Sequence, residues 1–152
     1  MAQFLRIVNI GGKQFEFCIL EEYEIKDFFH QETEKHVYGR TQEGNSMYLQ
    51  FNNDDVVLSD VYALLDNGNV ASFCIRPKYK RSVISRINTS PEYRKLGLAT
   101  FMLDHLAITE LSCIKENNTA LSLYKKLGFD IVREGHMLYD LNRQAVTINN
   151  FY

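Results

Sequence analysis

Residues Ser90–Thr100 read SPEYRKLGLAT, and the predicted architecture is built outward from this stretch. A strand-like apolar run stops at Pro91, and a short amphipathic helix begins after Gly97. That glycine can adopt a positive φ, and the small residues after it leave the N–H groups of a first helical turn open to an anion. Arg94 and Lys95 add positive charge at the rim. The stretch predicts a phosphate-binding loop, although such a turn alone is often only a helix start.

Length and composition restrict the class of protein. The 152 residues are 45% hydrophobic and 12% aromatic, which is enough apolar side chain for one substantial core. The 17 basic and 19 acidic residues nearly cancel, so no field of the whole protein attracts nucleic acid or an anionic membrane. We therefore expect a single domain with no nucleic-acid or membrane partner.

Cysteine and histidine usage argues against disulfides and metals. Cys18, Cys74 and Cys113 are far apart and form no CxxC pair, so we expect small apolar residues in a reducing compartment. The four histidines have no metal-binding spacing, and no metal is expected. The beginning of the sequence lacks a signal-peptide pattern, and no segment is apolar for long enough to span a bilayer. These features predict a cytoplasmic protein.

The first sixty residues begin with a predicted hairpin. Two apolar runs, 4–10 and 13–20, flank Gly11 and Gly12 in the manner of a two-residue turn. One face of this hairpin is expected to lie in the core, and it carries Phe4, Val8, Phe15, Phe17 and Ile19. Helical spacing of apolar residues predicts a helix over 21–35, and a short strand is predicted over 46–51.

A second hairpin signal follows. Asn67 and Gly68 separate apolar runs over 61–65 and 70–75, and a third strand is predicted over 82–88. Between these strands, residues 76–81 form a basic cluster that contains a tyrosine. A solvated connection explains this cluster better than a nucleic-acid interface, because no stacking platform or basic stripe accompanies it.

The last third of the sequence alternates between helix and strand. Helices are predicted over 98–108 and 119–127, and strands over 111–115, 129–133 and 136–142. Strand, phosphate loop, helix, strand and helix in this order are typical of an α/β crossover. Residues 143–152 show no clear pattern and are assigned as a tail.

A second motif decides between the alternatives for the phosphate loop. Residues Asn117–Phe129 read NNTALSLYKKLGF and match N-x-x-A-x-x-L-Y-x-x-x-G-F at every fixed position. Residues 89–99 are similar to V-x-P-x-x-R-x-x-G-x-G/A, with Thr89 at the usually aliphatic first position. Over roughly 61–141 the sequence thus resembles the GNAT superfamily of acyl-CoA-dependent N-acyltransferases. In that family V-x-P-x-x-R-x-x-G-x-G/A is the pattern of the pyrophosphate loop.

The resemblance implies a mixed α/β fold within a single domain over 1–152. A twisted, mostly antiparallel sheet would splay between the family's fourth and fifth strands to admit acetyl-CoA, the cosubstrate. Residues 61–142 would form the acyl-CoA-binding core, and 1–60 a divergent acceptor side, since the family usually opens with one strand and two helices. The short interval between Gly97 and Asn117 predicts a clipped helix with almost no exit loop.

The resemblance also implies which residues bind coenzyme A. The helix N-terminus would hold the pyrophosphate, and the preceding strand would pair with the pantetheine arm through its backbone. Asn117 would either bond a cofactor amide or cap the following helix, and the two interpretations are equally weighted. The expected cofactor-binding residues are Ile87, Thr89, Arg94, Lys95, Leu96, Gly97, Leu98, Ala99, Thr100, Asn117, Ala120 and Tyr124.

By the same resemblance, Tyr124 is the catalytic residue. A phenol near the sulfur can protonate the leaving thiolate when a primary amine attacks acetyl-CoA. No general base is identified, because Glu92, Glu110 and Glu116 are more simply explained as surface acids. The alternative is a catalytically silent module that binds coenzyme A, and the resemblance also allows a homodimer.

Overall fold

The computed structural model of the protein describes residues 3–21 and 58–145. Apart from Glu21, the helix predicted over 21–35 lies outside these residues, as does the strand predicted over 46–51. Within the two ranges the chain forms eight strands, two α-helices and a 3-10 turn. These elements are β1 (Gln3–Ile10), β2 (Lys13–Leu20), β3 (Ser59–Asp66), β4 (Asn69–Pro77), β5 (Arg86–Thr89), the 3-10 turn (Pro91–Tyr93), α1 (Leu98–His105), β6 (Glu110–Ile114), α2 (Asn118–Lys126), β7 (Asp130–Glu134) and β8 (Leu138–Asn142).

The strands form two separate sheets. Strands β1 to β5 make a five-stranded antiparallel sheet in sequence order, and the other three make a sheet in the order β6-β8-β7. A single parallel bridge between Val83 and Glu110 links the two. The predicted splay therefore lies between β5 and β6, and the mixed, mostly antiparallel α/β fold is confirmed.

Both predicted hairpins form, because their turns depend on local chemistry. Gly11 and Gly12 adopt φ values of 61° and 81°, and Asn67 and Gly68 adopt 49° and 84°. Positive φ at both central positions gives the turn twist that matches paired strands. A non-glycine residue with this backbone is tolerated best when it is asparagine, as at position 67.

The predicted core face of the first hairpin is wrong at one position. Val8, Phe15 and Phe17 are buried, whereas Phe4 is 54% exposed. The pairing register shifts between Phe4 and Arg6, so that one extra residue, Leu5, is inserted into β1. A bulge of this kind reverses the alternation of side chains. Phe4 is therefore opposite Cys18 and not on the face that carries Phe17.

The five-stranded sheet carries buried apolar residues on both faces. The main core includes Phe17, Leu64, Met102, Leu103 and Phe129, and it joins the sheet to α1, α2 and the second sheet. A second cluster includes Cys18, Val61, Ala63 and Ile75 on the opposite face. This explains why β3 and β4 read as continuous apolar runs, which is typical of strands covered on both sides.

Strand β5 is shorter than the strand predicted over 82–88. The backbone of Ser82 accepts hydrogen bonds from the N–H groups of Thr109 and Glu110, at 2.8 and 3.2 Å. Residues 82–84 therefore interact with the start of β6, and the strand that pairs with β4 is limited to Arg86–Thr89, flanked by backbone bonds from Ser85 and Ser90. The chain crosses between the two sheets at this point.

The basic segment 76–81 is folded onto the domain and is more than a solvated connection. Arg76 and Arg81 both donate to the hydroxyl of Tyr62, at 2.6 and 2.9 Å. Arg81 also pairs with Asp60 at 2.7 Å, and Lys80 of the same segment forms a surface ion pair. The two arginines therefore stabilise the ends of β3 and β4.

Helix α1 is clipped, as the short interval predicts, and it ends at His105 instead of residue 108. Ala107 takes a φ of 55°, and the N–H of Ile108 returns to the carbonyl of Leu103 at 2.9 Å. Hydrogen bonds of this kind give the carbonyls of the last helical turn their donors, so no longer loop is needed. Four residues, 106–109, then separate α1 from β6.

Arg143 opens the segment assigned as a tail, but its side chain is only 4% exposed. The guanidinium donates to the carbonyls of Leu103, Ile108 and Leu127 at 3.1, 2.8 and 3.1 Å, and to Asp104 at 3.0 Å. Its carbon also lies 4.5 Å from the centre of the Phe129 ring. Because Leu103 is in α1 and Leu127 is the C-cap of α2, this single side chain ties the ends of both helices together.

Within the described ranges, no helix is both long and apolar enough to cross a bilayer. No group of three or more His, Cys, Asp or Glu side chains in those ranges is arranged to hold a metal ion.

Candidate active site

A cleft of about 1390 Å³ opens where the two sheets part. Its walls are the end of β5, the loop that follows it, the first turn of α1 and the exposed side of α2. All of the cofactor-binding residues predicted from the sequence line this cleft except Leu96. The fold therefore brings the two sequence motifs together on opposite walls of one cavity.

The N-terminus of α1 is open towards this cleft. Gly97 precedes the helix with φ 95°, and no side chain caps the helix. The first backbone bond of the helix runs from the N–H of Phe101 to the carbonyl of Gly97, at 3.0 Å. The N–H groups of the preceding turn are left without intrahelical partners, and the helix dipole favours an anion beside them.

Lys95 holds an unusual backbone conformation in the loop before α1. Its φ is 67°, a left-handed value that is unfavourable for a residue with a Cβ. The loop thus holds this conformation without a glycine, and the surrounding contacts must keep it in place.

The outer edge of β5 pairs with no other described strand and faces the cleft, and the Thr89 carbonyl accepts a hydrogen bond from Nε of Arg94 at 3.5 Å. β5 is the last strand of its sheet, and the N–H of Ser90 bonds the carbonyl of Ala71 at 2.8 Å. Because hydrogen-bonding direction alternates along a strand, the peptide groups of Ile87 and Thr89 face away from β4. The Thr89 side chain is fixed in turn by Ser72, whose hydroxyl lies 2.9 Å from that of Thr89.

Asn117 caps helix α2. Its Oδ1 accepts a hydrogen bond from the N–H of Ala120 at 3.2 Å. Of the two interpretations left open by the sequence, the capping contact is the one observed, and Asn117 nevertheless lines the cleft. Ala120 lies on the same wall and is partly buried. The cap fixes the start of the helix that carries Tyr124.

Tyr124 lies on the buried side of α2 with 8% of its surface exposed. Its ring packs edge-on against Phe129, with centroids 6.0 Å apart. Burial raises the pKa of the phenol above its ordinary value, and the nearby Cys113 raises this pKa further. No described residue hydrogen-bonds the Tyr124 hydroxyl. The group is therefore held protonated at the cleft and can donate to a ligand.

The cleft is more basic than the protein as a whole. Its described lining residues include one acid, Glu116, and four bases, Arg94, Lys95, Lys125 and Lys126. The complete chain has a formal net charge of −2. Positive charge is therefore concentrated at this site, which favours a polyanionic ligand.

Several residues of the site escaped the sequence prediction, among them Tyr93, Lys125, Lys126 and, behind the cleft wall, Cys113. Tyr93 lines the cleft and donates to Asp66 at 2.7 Å. Cys113 is 4% exposed and lies near the Tyr124 phenol. Tyr93 falls at a variable position of the loop pattern, and the only available signal was a polar aromatic residue next to Arg94. Nothing in the sequence around Cys113 distinguishes it from a core residue.

Comparison with known proteins agrees with this geometry. A family model described as "Acetyltransferase (GNAT) domain" matches residues 58–131. Among curated proteins, the human and mouse cysteine-rich protein 2-binding proteins are 39% identical to this chain over 57 residues. That alignment covers 34% of this chain and only 7% of theirs.

Solved structures share this fold over most of the chain at low sequence identity. A GNAT-family acetyltransferase from Listeria monocytogenes has a TM-score of 0.62 and 15% identity, covering 91% of this chain and 99% of its own. Naa50 from Arabidopsis thaliana, in complex with the bisubstrate analogue CoA-Ac-MVNAL, has a TM-score of 0.65 and 14% identity, covering 86% and 98%. The arrangement of the strands and the cleft is therefore that of the GNAT fold. With the family match, residues 58–131 of this chain carry a GNAT acetyltransferase domain.

Proposed function

We propose that this protein transfers an acetyl group from acetyl-CoA to a primary amine. The observation that carries this proposal is the convergence of three features on one cleft: the uncapped N-terminus of α1, the outer edge of β5 and the protonated phenol of Tyr124. Each feature corresponds to a different part of acetyl-CoA, namely the pyrophosphate, the pantetheine arm and the thioester sulfur.

The cofactor would lie along the cleft from the loop to α2. The N–H groups that follow Gly97 would hold the pyrophosphate without a metal, with the helix dipole contributing about 0.3–1 kcal/mol. Arg94 and Lys95 would add charge at the rim. The peptide groups of Ile87 and Thr89 would pair with the amides of the pantetheine arm, as a strand adds to a sheet edge.

The chemistry then needs few side chains. The amine nitrogen attacks the thioester carbonyl carbon, a C–N bond forms, and the C–S bond breaks as the tetrahedral intermediate collapses. The hydroxyl of Tyr124 gives its proton to the departing sulfur, and the proton lost by the amine returns through solvent to the phenolate. Alignment of amine and thioester supplies about 7–11 kcal/mol of such a reaction when the geometry is good.

The acceptor would enter as the free amine. Glu116 is the single carboxylate among the described residues that line the cleft, and it is exposed at the rim. Water would therefore take the amine proton. Because Naa50 was solved with an analogue that joins CoA to a peptide, the α-amine of a peptide is an acceptor to test, beside lysine, polyamines and amino sugars.

The pH dependence of the reaction follows from these roles. The rate should rise with pH as the amine loses its proton. A general acid acts only when protonated, and the raised pKa of Tyr124 keeps it protonated beyond the ordinary value for tyrosine, about 10. We therefore expect kcat to show no decline up to about pH 9.5 in a stopped-time thiol assay. A loss of activity between pH 7 and 9 without unfolding would contradict this role.

A titration followed by a thiol assay tests the proposed function. Acetyl-CoA is first titrated calorimetrically into the protein, and release of the coenzyme A thiol is then measured across the amine panel. We expect binding heat and amine-dependent thiol release with at least one acceptor. Heat without thiol release across the panel would indicate the alternative, a module that binds coenzyme A and transfers nothing.

A further inference from the structure

We infer that the β1–β2 hairpin is a brace that sets the conformation of the phosphate-binding loop and thereby the affinity for acetyl-CoA. This inference rests on the proposed function of the cleft. It assigns Gly11 and Phe15 as positioning residues, although neither lines the cleft. The hairpin contacts the loop 93–97 at both of its ends.

The turn of the hairpin lies directly against the C-terminal end of the loop. A Cβ built on Gly11 would lie 3.0 Å from the carbonyl oxygen of Leu96 and 3.1 Å from both its Cβ and Cδ2. A Cβ on Gly97 would meet Ile10 of the hairpin at 3.7 Å. The absence of a side chain at Gly11 therefore permits this close approach. It also explains why Leu96 alone among the predicted site residues is absent from the cleft wall.

The other end of the loop is held by β2 and by the turn between β3 and β4. The Phe15 ring packs edge-on against Tyr93, with centroids 6.1 Å apart. The Tyr93 hydroxyl donates to Asp66 at 2.7 Å, and Lys13 of the hairpin lies 3.4 Å from the same carboxylate. The hydrogen bond from Tyr93 lowers the pKa of Asp66, and Lys13 lowers it further, so the carboxylate stays ionised as an acceptor.

Between these two anchors lies Lys95, whose left-handed backbone is unfavourable without glycine. A loop that is fixed at Tyr93 and at Leu96 has little freedom to relax this conformation. The hairpin thus replaces, through tertiary contacts, the backbone freedom that a glycine would supply. The consequence is a preorganised pyrophosphate site, and preorganisation raises affinity by lowering the entropy lost on binding.

Gly11→Ala tests the brace, and Gly12→Ala is its matched control. Both glycines have positive φ, 61° and 81°, so alanine strains the turn at either position. Only the Cβ at position 11 collides with the loop, because no atom lies within 4 Å of one at position 12. We expect Gly11→Ala to weaken acetyl-CoA binding about tenfold in calorimetry, and Gly12→Ala to change it less than about twofold.

The kinetic signature separates positioning from general damage. With Gly11→Ala, KM for acetyl-CoA should rise in parallel with the dissociation constant, while kcat stays close to wild type. Placing Lys95→Gly in the same chain should reduce the effect of Gly11→Ala, since a glycine at 95 no longer needs the brace. Equal affinities for Gly11→Ala and Gly12→Ala would overturn the inference.

Two further outcomes are distinguishable. If wild-type protein gives no heat with acetyl-CoA, the proposed function fails. If Gly11→Ala does not fold, as judged by thermal unfolding, Tyr93→Phe decides the question, because it keeps the ring on Phe15 and removes the hydroxyl that bonds Asp66. We then expect about threefold weaker binding of acetyl-CoA by Tyr93→Phe. Unchanged binding by that folded variant would refute the brace.

Discussion

Replacing Tyr124 with phenylalanine is expected to lower kcat by about 10²–10³-fold, because a positioned general acid contributes factors of this size. The ring packs edge-on against Phe129, and phenylalanine retains that contact. No described residue hydrogen-bonds the hydroxyl, so its removal leaves no partner unsatisfied. We therefore expect the calorimetric affinity for acetyl-CoA and the midpoint of thermal unfolding to stay near their wild-type values.

Tyr139→Phe is the control for this variant. Tyr139 also packs against the core and is partly buried, but it lies on β8 beneath Lys115 and does not line the cleft. Removing the Tyr139 hydroxyl should leave the rate of thiol release unchanged. If Tyr124→Phe has the same kcat as Tyr139→Phe with an amine that the wild type acetylates, the phenol does not protonate the thiolate.

Replacing Arg143 with alanine is expected to destabilise the protein by about 3–5 kcal/mol, the range for breaking a buried charged network. The side chain is 4% exposed and donates to three backbone carbonyls as well as to Asp104. Removing it takes a donor away from the carbonyls of Leu103, Ile108 and Leu127, although Leu103 keeps its bond from the N–H of Ile108, and a positive charge near the ends of the two helices is also lost. The measurement is the free energy of unfolding in urea.

Arg133→Ala provides the matched control for Arg143→Ala. Arg133 also pairs with an aspartate, Asp140, at 2.7 Å, but its side chain is 79% exposed. An exposed pair contributes about 0–1 kcal/mol, so the control should change stability little. Arg143→Lys should fall between them, because lysine keeps the charge and loses the planar array of donors. Similar stabilities for Arg143→Ala and Arg133→Ala would show that the network does not hold the helices.

The parts of the fold that could be predicted from sequence depend on short-range chemistry. The turns at Gly11 and at Asn67 are set by residues that accept positive φ, and both hairpins form. The motif over Asn117–Phe129 fixes a helix through local spacing, and α2 lies within it. The loop at Gly97 was likewise located, because a glycine before a helix is a local signal.

The parts that could not be predicted depend on contacts between residues distant in sequence. Arg143 reaches carbonyls 35 and 40 positions away, and one arginine after a strand carries no periodic signal. The approach of Gly11 to Leu96 joins two turns 85 positions apart, and sequence spacing does not reveal it. The alternation of apolar residues in the sequence predicts that Phe4 faces the core. The inserted Leu5 instead moves the Phe4 side chain to the other face of the sheet.

Hydrogen–deuterium exchange with and without saturating coenzyme A tests the central claim most directly, since it locates the ligand without knowledge of the amine. We predict slower exchange at the amides of residues 95–100 and at Ile87 and Thr89, with the amides of β7 unchanged as an internal reference. Unchanged exchange at residues 95–100, under conditions in which calorimetry shows the protein saturated, would contradict the assignment of this cleft as the acetyl-CoA site.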